Sequence, residues 1–241
     1  MHKASVPPIV IEAQQLTKVF MQKQQSVQAL RGVDLQVRSG DFTVISGPSG
    51  SGKTTLLNIL GLLDVPTSGR VSFEGHDLAG AKPADLAALR RDHIGFVFQA
   101  YNLMPVLTAV ENTEMVMEFQ GVPANERRRI SAELLQALGL GELMDRFPDQ
   151  LSGGQQQRVA VARAIASKPR LVIADEPTAN LDSKTADSLM DLMSELNHKH
   201  GITFVFSSHD PHVIQRARRV LTLRDGIIVN DSAAPEAAHA A

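Results

Sequence analysis

Short apolar runs alternate with polar stretches punctuated by glycine and proline, and few runs are long. Residues 9–37 carry alternating segments, 9–11 and 33–37 among them, which predict an antiparallel β subdomain. Phe42-Thr43-Val44-Ile45 is continuous and apolar, as are 171–174 and 203–207. Runs of that kind predict strands buried on both faces, as in a parallel sheet. Residues 69–75 predict a further strand with a glycine turn. Helical segments are predicted at 55–60, ending near Gly61, at 84–91, opened by Pro83 in the first turn, at 155–167 and at 183–199. Residues 220–223 and 227–229 flank Asp225-Gly226, a hairpin turn. Strands alternating with helices imply a parallel sheet covered on both faces.

Over 100–150 the strand signals vanish. Helices are predicted at 108–119, 125–138 and 142–146, separated by Gly121-Val122-Pro123 and Gly139-Leu140-Gly141. This stretch predicts a helical insert. Its first loop, Tyr101 to Leu107, is apolar, and Met115, Met117 and Phe119 follow. These residues suit either an adaptable docking groove for a partner's helix or the insert's own core. Arg127-Arg128-Arg129 reads as a solvated helix face, with contact to anionic lipid as the alternative.

The candidate chemistry starts at Gly47-Pro48-Ser49-Gly50-Ser51-Gly52-Lys53-Thr54, which fits G-x-x-x-x-G-K-[ST] at every fixed position. A predicted strand precedes it and a helix follows, the context a phosphate-binding loop requires. Glycines allow the backbone to wrap phosphates with its N–H groups inward, and the helix N-terminus adds partial positive charge. Lys53 is placed to reach the β- and γ-phosphates, and the Thr54 hydroxyl to ligate Mg²⁺. Asp175 and Glu176 end the buried run 171–174. One carboxylate near Mg²⁺ and one near water suits phosphoryl transfer.

With these motifs in place, the chain resembles the nucleotide-binding subunits of ATP-binding-cassette (ABC) transporters over residues 9–230. The family's elements occur in order: Phe20, the loop Gly47–Thr54, Gln99 after Ile94-Gly95-Phe96-Val97-Phe98, the signature Leu151-Ser152-Gly153-Gly154-Gln155, Asp175-Glu176, Asn180-Leu181-Asp182, and His209. The resemblance implies an α/β fold: a P-loop NTPase (RecA-like) core, an antiparallel β subdomain and an inserted α-helical subdomain at about 100–150. It implies that Phe20 stacks on adenine, as any aromatic platform can. It also implies that Thr55 joins the phosphate site and that Thr54, Gln99 and Asp175 attend Mg²⁺. Glu176 becomes the general base or water-polarising group, His209 a γ-phosphate contact that holds the water and Glu176, and Gln99 a sensor of the metal or water. Ser152, Gly153, Gly154 and Gln155, at a helix start, would meet ATP held by a second copy of the chain. A monomer would then be a poor ATPase.

The chain has 241 residues, enough for a sizeable core, and a formal net charge of -2, which signals no general attraction to nucleic acid. It has no cysteine, hence no disulfide. No run approaches the ~20 apolar residues of a membrane span, and residues 1–8 lack a signal-peptide core. The expected location is the cytoplasmic face of the inner membrane, peripheral, with integral membrane permease subunits as separate partners. Residues 1–8 and 231–241 are expected to be tails, the latter disordered.

Leu60-Gly61-Leu62-Leu63-Asp64-Val65-Pro66-Thr67-Ser68-Gly69 and the stretch from Asp175 to Ser183 resemble the lipoprotein-release and macrolide-export branch, whose ATPases drive mechanical movement of a membrane subunit. The alternative within that branch is an ATPase that signals to cell-division or envelope enzymes without transport. Soluble ABC ATPases of DNA repair or translation fit less well. Only about 120 residues separate Lys53 from Asp175, one cassette is present, and no basic nucleic-acid surface is apparent.

Overall fold

The computed structural model describes residues 6–22 and 25–232. The chain opens with β1 (Ile9–Gln22) and β2 (Gln25–Arg38), paired antiparallel. β3 (Phe42–Ser46) leads into the glycine loop and α1 (Lys53–Leu60). β4 (Ser68–Phe73) and β5 (His76–Asp77) follow, then α2 (Pro83–His93), with its proline in the first turn, and β6 (Ile94–Val97). The helical stretch holds α3 (Ala109–Phe119), α4 (Ala124–Ala137) and α5 (Gly153–Ala166). β7 (Leu171–Ala174), α6 (Ser183–His200), β8 (Thr203–Ser208), α7 (Pro211–Gln215), β9 (Arg219–Arg224) and β10 (Ile227–Asp231) complete the order.

Two sheets result. A four-stranded antiparallel sheet has the order β2-β1-β4-β5, and a six-stranded one the order β10-β9-β3-β8-β7-β6. In the second, β9, β3, β8, β7 and β6 run parallel, and only β10 is antiparallel. The alternation of side chains along a strand divides the buried residues between two cores. Ile45, Ile173 and Val205 face a core shared with α1 and the antiparallel sheet, while Val44, Val172, Phe204 and Phe206 face one shared with α5 and α6. A third core in the helical stretch joins Val110 and Leu135 to Val159 and Ala162 of α5. Helix α5 therefore contributes to two cores, Val161 and Ile165 to the sheet side and Val159 and Ala162 to the helical side.

The segment 142–146 differs from its expected helix. It forms only a 3₁₀ turn at Gly141–Leu143. Five residues are too few to offset helix nucleation, and the carbonyls are used elsewhere. Those of Met144 and Arg146 accept the N–H groups of Val110 and Ala109, at 3.0 and 2.9 Å. The first turn of α3 is thereby capped by chain rather than by water. Strand β10 reaches Asp231, the first residue of the expected tail, where Arg219 binds the Asp231 carboxylate at 2.7 Å. Residues 1–5 and 233–241 of the expected tails lie outside the described residues. Among the described residues no helix is long and apolar enough to cross a membrane.

Candidate functional site

Parallel register assembles the site. Ser46 pairs with Ser208, Ala174 with Phe206 and Val97 with Ala174. The adjacent strands β3, β8, β7 and β6 thus end side by side, and the residues that follow them form one rim: the glycine loop, His209, Asp175-Glu176 and Gln99. Ligands bind at such carboxyl ends in open α/β sheets. A cleft of about 440 Å³ lies there, lined by Phe20, Ser49, Gly50, Gly52, Lys53, Thr54, Thr55, Gln99, Glu176 and His209, with Ala29 and Ala179 as additional walls.

The loop conformation requires its glycines. Gly47 and Gly52 have φ of 151° and 104°, and a Cβ on Gly47 would run into the Leu223 carbonyl. The Lys53 ammonium donates to the carbonyls of Gly47 and Pro48 at 2.8 and 3.1 Å, so the loop holds a buried cation. Ser51 is buried with no hydrogen-bond partner for its hydroxyl, and its own carbonyl accepts from Gly226 at 3.0 Å, which pins the loop to the β9–β10 turn.

On the opposite wall the Glu176 backbone has φ 45°, unusual for a residue with a side chain. That twist turns its carboxylate out of the buried strand toward His209, whose Nδ1 lies 3.0 Å from Glu176 Oε1. Ser207 anchors the twist. Its hydroxyl accepts from the Glu176 N–H at 2.8 Å and donates to Asp175 Oδ1 at 2.6 Å. Sequence reading names no role for Ser207, because the contact depends on the β7–β8 register. Asp175 itself is bound to Ser207 and does not line the cleft. Gln99 is held through its carbonyl, which accepts from Asn180 Nδ2 at 2.9 Å.

Phe20 stands at the cleft mouth, partly exposed. The Lys18 ammonium sits 5.1 Å from its ring centroid and is itself held by Asp64 and the Val65 carbonyl at 2.6 and 2.7 Å. A cation at that distance attracts the ring face and fixes the ring's position.

Ser152, Gly153, Gly154 and Gln155 do not line the cleft. They form the N-terminus of α5, a capping box in which Ser152 Oγ accepts from Gln155 N–H and the Gln155 side chain accepts from Ser152 N–H. Gly153 abuts the Tyr101 hydroxyl and Gly154 the Thr185 methyl.

The donors available for a divalent cation are oxygens, the Thr54 hydroxyl, the Gln99 amide and the Asp175 carboxylate, the set that a hard ion such as Mg²⁺ takes. Among the described residues no cluster of three acidic, histidine or cysteine side chains could hold a metal by itself. Such a small protein set fits an ion that completes its shell with phosphate oxygens and water.

Residues 30–179 match the family model described as ABC transporter. The macrolide export ATP-binding/permease protein MacB of Syntrophobacter fumaroxidans is 48% identical over 227 residues, covering 93% of this chain and 32% of that protein. The chain thus spans about a third of that relative's length. An uncharacterised ABC transporter ATP-binding protein of Thermotoga maritima is 48% identical over 219 residues, covering 91% of this chain and 93% of that one. Among solved structures, the dimeric post-hydrolysis state of the ATP-binding cassette MJ0796 bound to ADP and Pi has a TM-score of 0.85 at 41% identity, covering 92% of this chain and 97% of that one. The cbiO1 chain of Clostridium perfringens, part of the ABC transporter complex cbiONQ, gives 0.83 at 26% identity, covering 93% and 88%. The chain is thus an ATP-hydrolysing cassette and belongs to the ABC transporter family.

Proposed function

We propose that the chain is the ATP-driven subunit of an export or extraction system of the macrolide-export and lipoprotein-release kind, acting as a head-to-tail pair on separate membrane subunits. One observation carries the reading: Phe20, glycine-loop residues with Lys53 and Thr54, Gln99, Glu176 and His209 line one cleft, whereas the signature lies outside it on α5. Each cleft is half a site, and a second copy supplies Ser152, Gly153, Gly154 and Gln155 to the γ-phosphate. A helix start with free N–H groups suits that anion. The dimeric state of MJ0796 with ADP and Pi supports the pairing.

Within one half-site, Phe20 offers a face for adenine. Residues Gly47 to Thr55 cradle the phosphates with backbone N–H groups. Lys53 exchanges its two loop carbonyls for phosphate oxygens, trading neutral for charge-assisted bonds. Thr54, Gln99 and Asp175 would hold Mg²⁺, which when bound neutralises charge on the transferring phosphoryl group. Glu176 orients and deprotonates the attacking water, and His209, 3.0 Å from its carboxylate, holds that carboxylate and the γ-phosphate in line. Once the phosphate bond is cut, the contacts between the two copies loosen and the pair reopens.

The membrane partner would dock in a groove of about 720 Å³ between α2, β6 and α3, whose walls include Ala84, Ala87, Phe98, Met115, Val116 and Phe119. Phe119 is 68% exposed, a large apolar side chain without cover. Of the residues expected to form such a groove, Asn102, Met115 and Phe119 line this one, whereas Leu103 packs on the third core and Met117 is buried. Peripheral attachment at the cytoplasmic face of the inner membrane follows from this docking. Macrolide-like drugs are the cargo class that the relative's name suggests, and lipoproteins and peptides are those that the resemblance to the branch in sequence adds.

The test is tagged Glu176→Gln protein isolated from native membranes with ATP and Mg²⁺. It should bind ATP, hydrolyse at least about 100-fold more slowly, the scale of a lost general base, and elute as a dimer with a permease subunit. Phe119→Arg in that background should release the permease and keep the dimer. Normal hydrolysis by Glu176→Gln, or recovery of soluble proteins alone, would sink the reading.

A further inference from the structure

Arg163, near the end of α5, has no role in the site described so far. The residue is 6% exposed. No carboxylate offsets that burial among the described residues, and burial draws its pKa below the usual arginine value. Burying a guanidinium without a counter-charge is costly, so what it binds must need it. Its Nη1 donates to the Asn102 carbonyl at 2.6 Å and its Nη2 to the Tyr101 carbonyl at 2.8 Å. The planar fork of arginine suits two neighbouring carbonyls, and a lysine ammonium does not reproduce it.

The two residues it grips are strained. Tyr101 and Asn102 have φ of 60° and 49°, consecutive left-handed residues with side chains. Such conformations persist only where the surroundings impose them. They follow Gln99 by two and three residues, and Gln99 is held on its other side by Asn180. The Tyr101 side chain reaches the other end of α5: a Cβ on Gly153 would sit 2.8 Å from its hydroxyl. At 1.5 Å per residue, the ten residues from Gly153 to Arg163 span about 15 Å. Tyr101 therefore touches both ends of the signature helix, by its carbonyl at Arg163 and by its hydroxyl at Gly153. Phe98, Asn102 and Arg163 also line the apolar groove beside Phe119.

We propose that Arg163 is a positioning residue: by holding Tyr101–Asn102 in the left-handed turn, it sets the signature Ser152–Gly154 relative to Gln99. The position of Gln99 in one copy's cleft and the presentation of that copy's signature to its partner are then parts of one rigid connection. Without the fork the turn relaxes toward negative φ, Tyr101 leaves Gly153, and the signature is no longer in register with its own cleft. Nucleotide binding in the single chain does not need this link, whereas closure of the pair and hydrolysis do. The inference rests on the two-copy reading above.

The experiment compares Arg163→Lys, Arg163→Met and Tyr101→Ala, each alone and in the Glu176→Gln background. Three quantities are measured: affinity of the single chain for a fluorescent ATP analogue, ATP-dependent dimerisation by sedimentation, and kcat. The expected result is analogue affinity within about 3-fold of wild type, with kcat down at least 10-fold in Arg163→Met and Tyr101→Ala. Arg163→Lys should fall between them and wild type, and dimerisation should weaken in the same order. Equal dimerisation and kcat in folded variants overturns the proposal, as does a loss of nucleotide affinity that matches the loss of kcat. If Arg163→Met does not fold, Tyr101→Ala, which removes a half-buried side chain, carries the same prediction. If Glu176→Gln alone fails to dimerise with ATP, the two-copy reading falls and takes the proposal with it. If it dimerises and the Arg163 and Tyr101 variants in that background do so equally well, only the proposal falls.

Discussion

Gly154 tests why the signature carries a glycine at that position. It lies in the first turn of α5 with φ in the ordinary range, so it needs no special backbone freedom. A Cβ placed on it would come inside 3.0 Å of Thr185 Cγ2, whereas Thr185 Cβ and Oγ1 would lie at 3.6 and 3.8 Å, ordinary contacts. Thr185 cannot turn away freely, because its hydroxyl donates to Asp182 Oδ2 at 2.6 Å and its N–H to Asp182 Oδ1 at 3.0 Å. Overpacking of this kind costs about 1–3 kcal/mol, and alanine regains about 0.5–1 kcal/mol over glycine in a helix. Gly154→Ala should therefore lose about 1–2 kcal/mol net, a fall in Tm of about 2–4 °C per kcal/mol for a chain of this size. Thr185→Ser deletes the offending methyl and keeps the hydroxyl on Asp182. Thr185 is half-buried, so this change alone costs about 0.5 kcal/mol. The double variant should then return to within about 0.5 kcal/mol of wild type, a coupling of about 1–2 kcal/mol. Urea unfolding of the four proteins measures the cycle, and ATP hydrolysis should recover with stability. A double variant as unstable as Gly154→Ala would show that the Thr185 methyl is not what excludes a side chain there.

Other outcomes follow from the same contacts. Ser207→Ala removes the partner of the Glu176 N–H in a fully buried position, which should cost about 1–3 kcal/mol in unfolding measurements and lower kcat with ATP affinity retained; unchanged stability and kcat would refute the anchoring role. Lys53→Ala should raise the Kd for ATP about 10- to 100-fold, the scale of a lost charge-assisted hydrogen bond, and titration calorimetry giving an unchanged Kd would remove Lys53 from the phosphate site. Asp182 caps α6 through its bonds to Thr185, which hold its carboxyl below the ordinary carboxylate value. A depressed folded pKa means stabilisation present above the unfolded value of about 3.9 and lost as pH falls through the folded value. The stability gap between wild type and Asp182→Ala should stay constant from pH 7 to about 5 and close only below about pH 4; closure near pH 6 would contradict the assignment.

The phosphate loop could be read from sequence because its chemistry is local. Eight consecutive residues between a predicted strand and helix carry both the shape and the cation, and five of them, Ser49, Gly50, Gly52, Lys53 and Thr54, line one cleft with Phe20, Gln99, Glu176 and His209. The strands 42–45, 171–174 and 203–207 were equally legible, since continuous burial leaves an apolar run. Burial direction was not. Met117 and Phe119 sit two residues apart in the same helix, yet one is 1% exposed and the other 68%. That difference depends on which way α3 is rotated, and α4 and α5 decide it. The segment 142–146 looked helical by composition, and α3 drew its carbonyls into a cap instead.

Ser207 and Arg163 show the same boundary from the functional side. Each looks ordinary in sequence, a serine in an apolar strand and an arginine in a helix. Ser207 acquires its role because β7 and β8 pair in a register that puts its hydroxyl between Asp175 and the Glu176 N–H. Arg163 acquires its own because α5 packs where Tyr101 and Asn102 turn back. By itself the sequence determined the glycine loop, its cation and the elements that carry them, because glycine freedom, charge and apolar periodicity act over a few residues. Only the tertiary structure decided which side chains hold those groups in place and that the signature lies outside its own cleft, because strand register and helix packing bring together residues that neighbour nothing relevant along the chain.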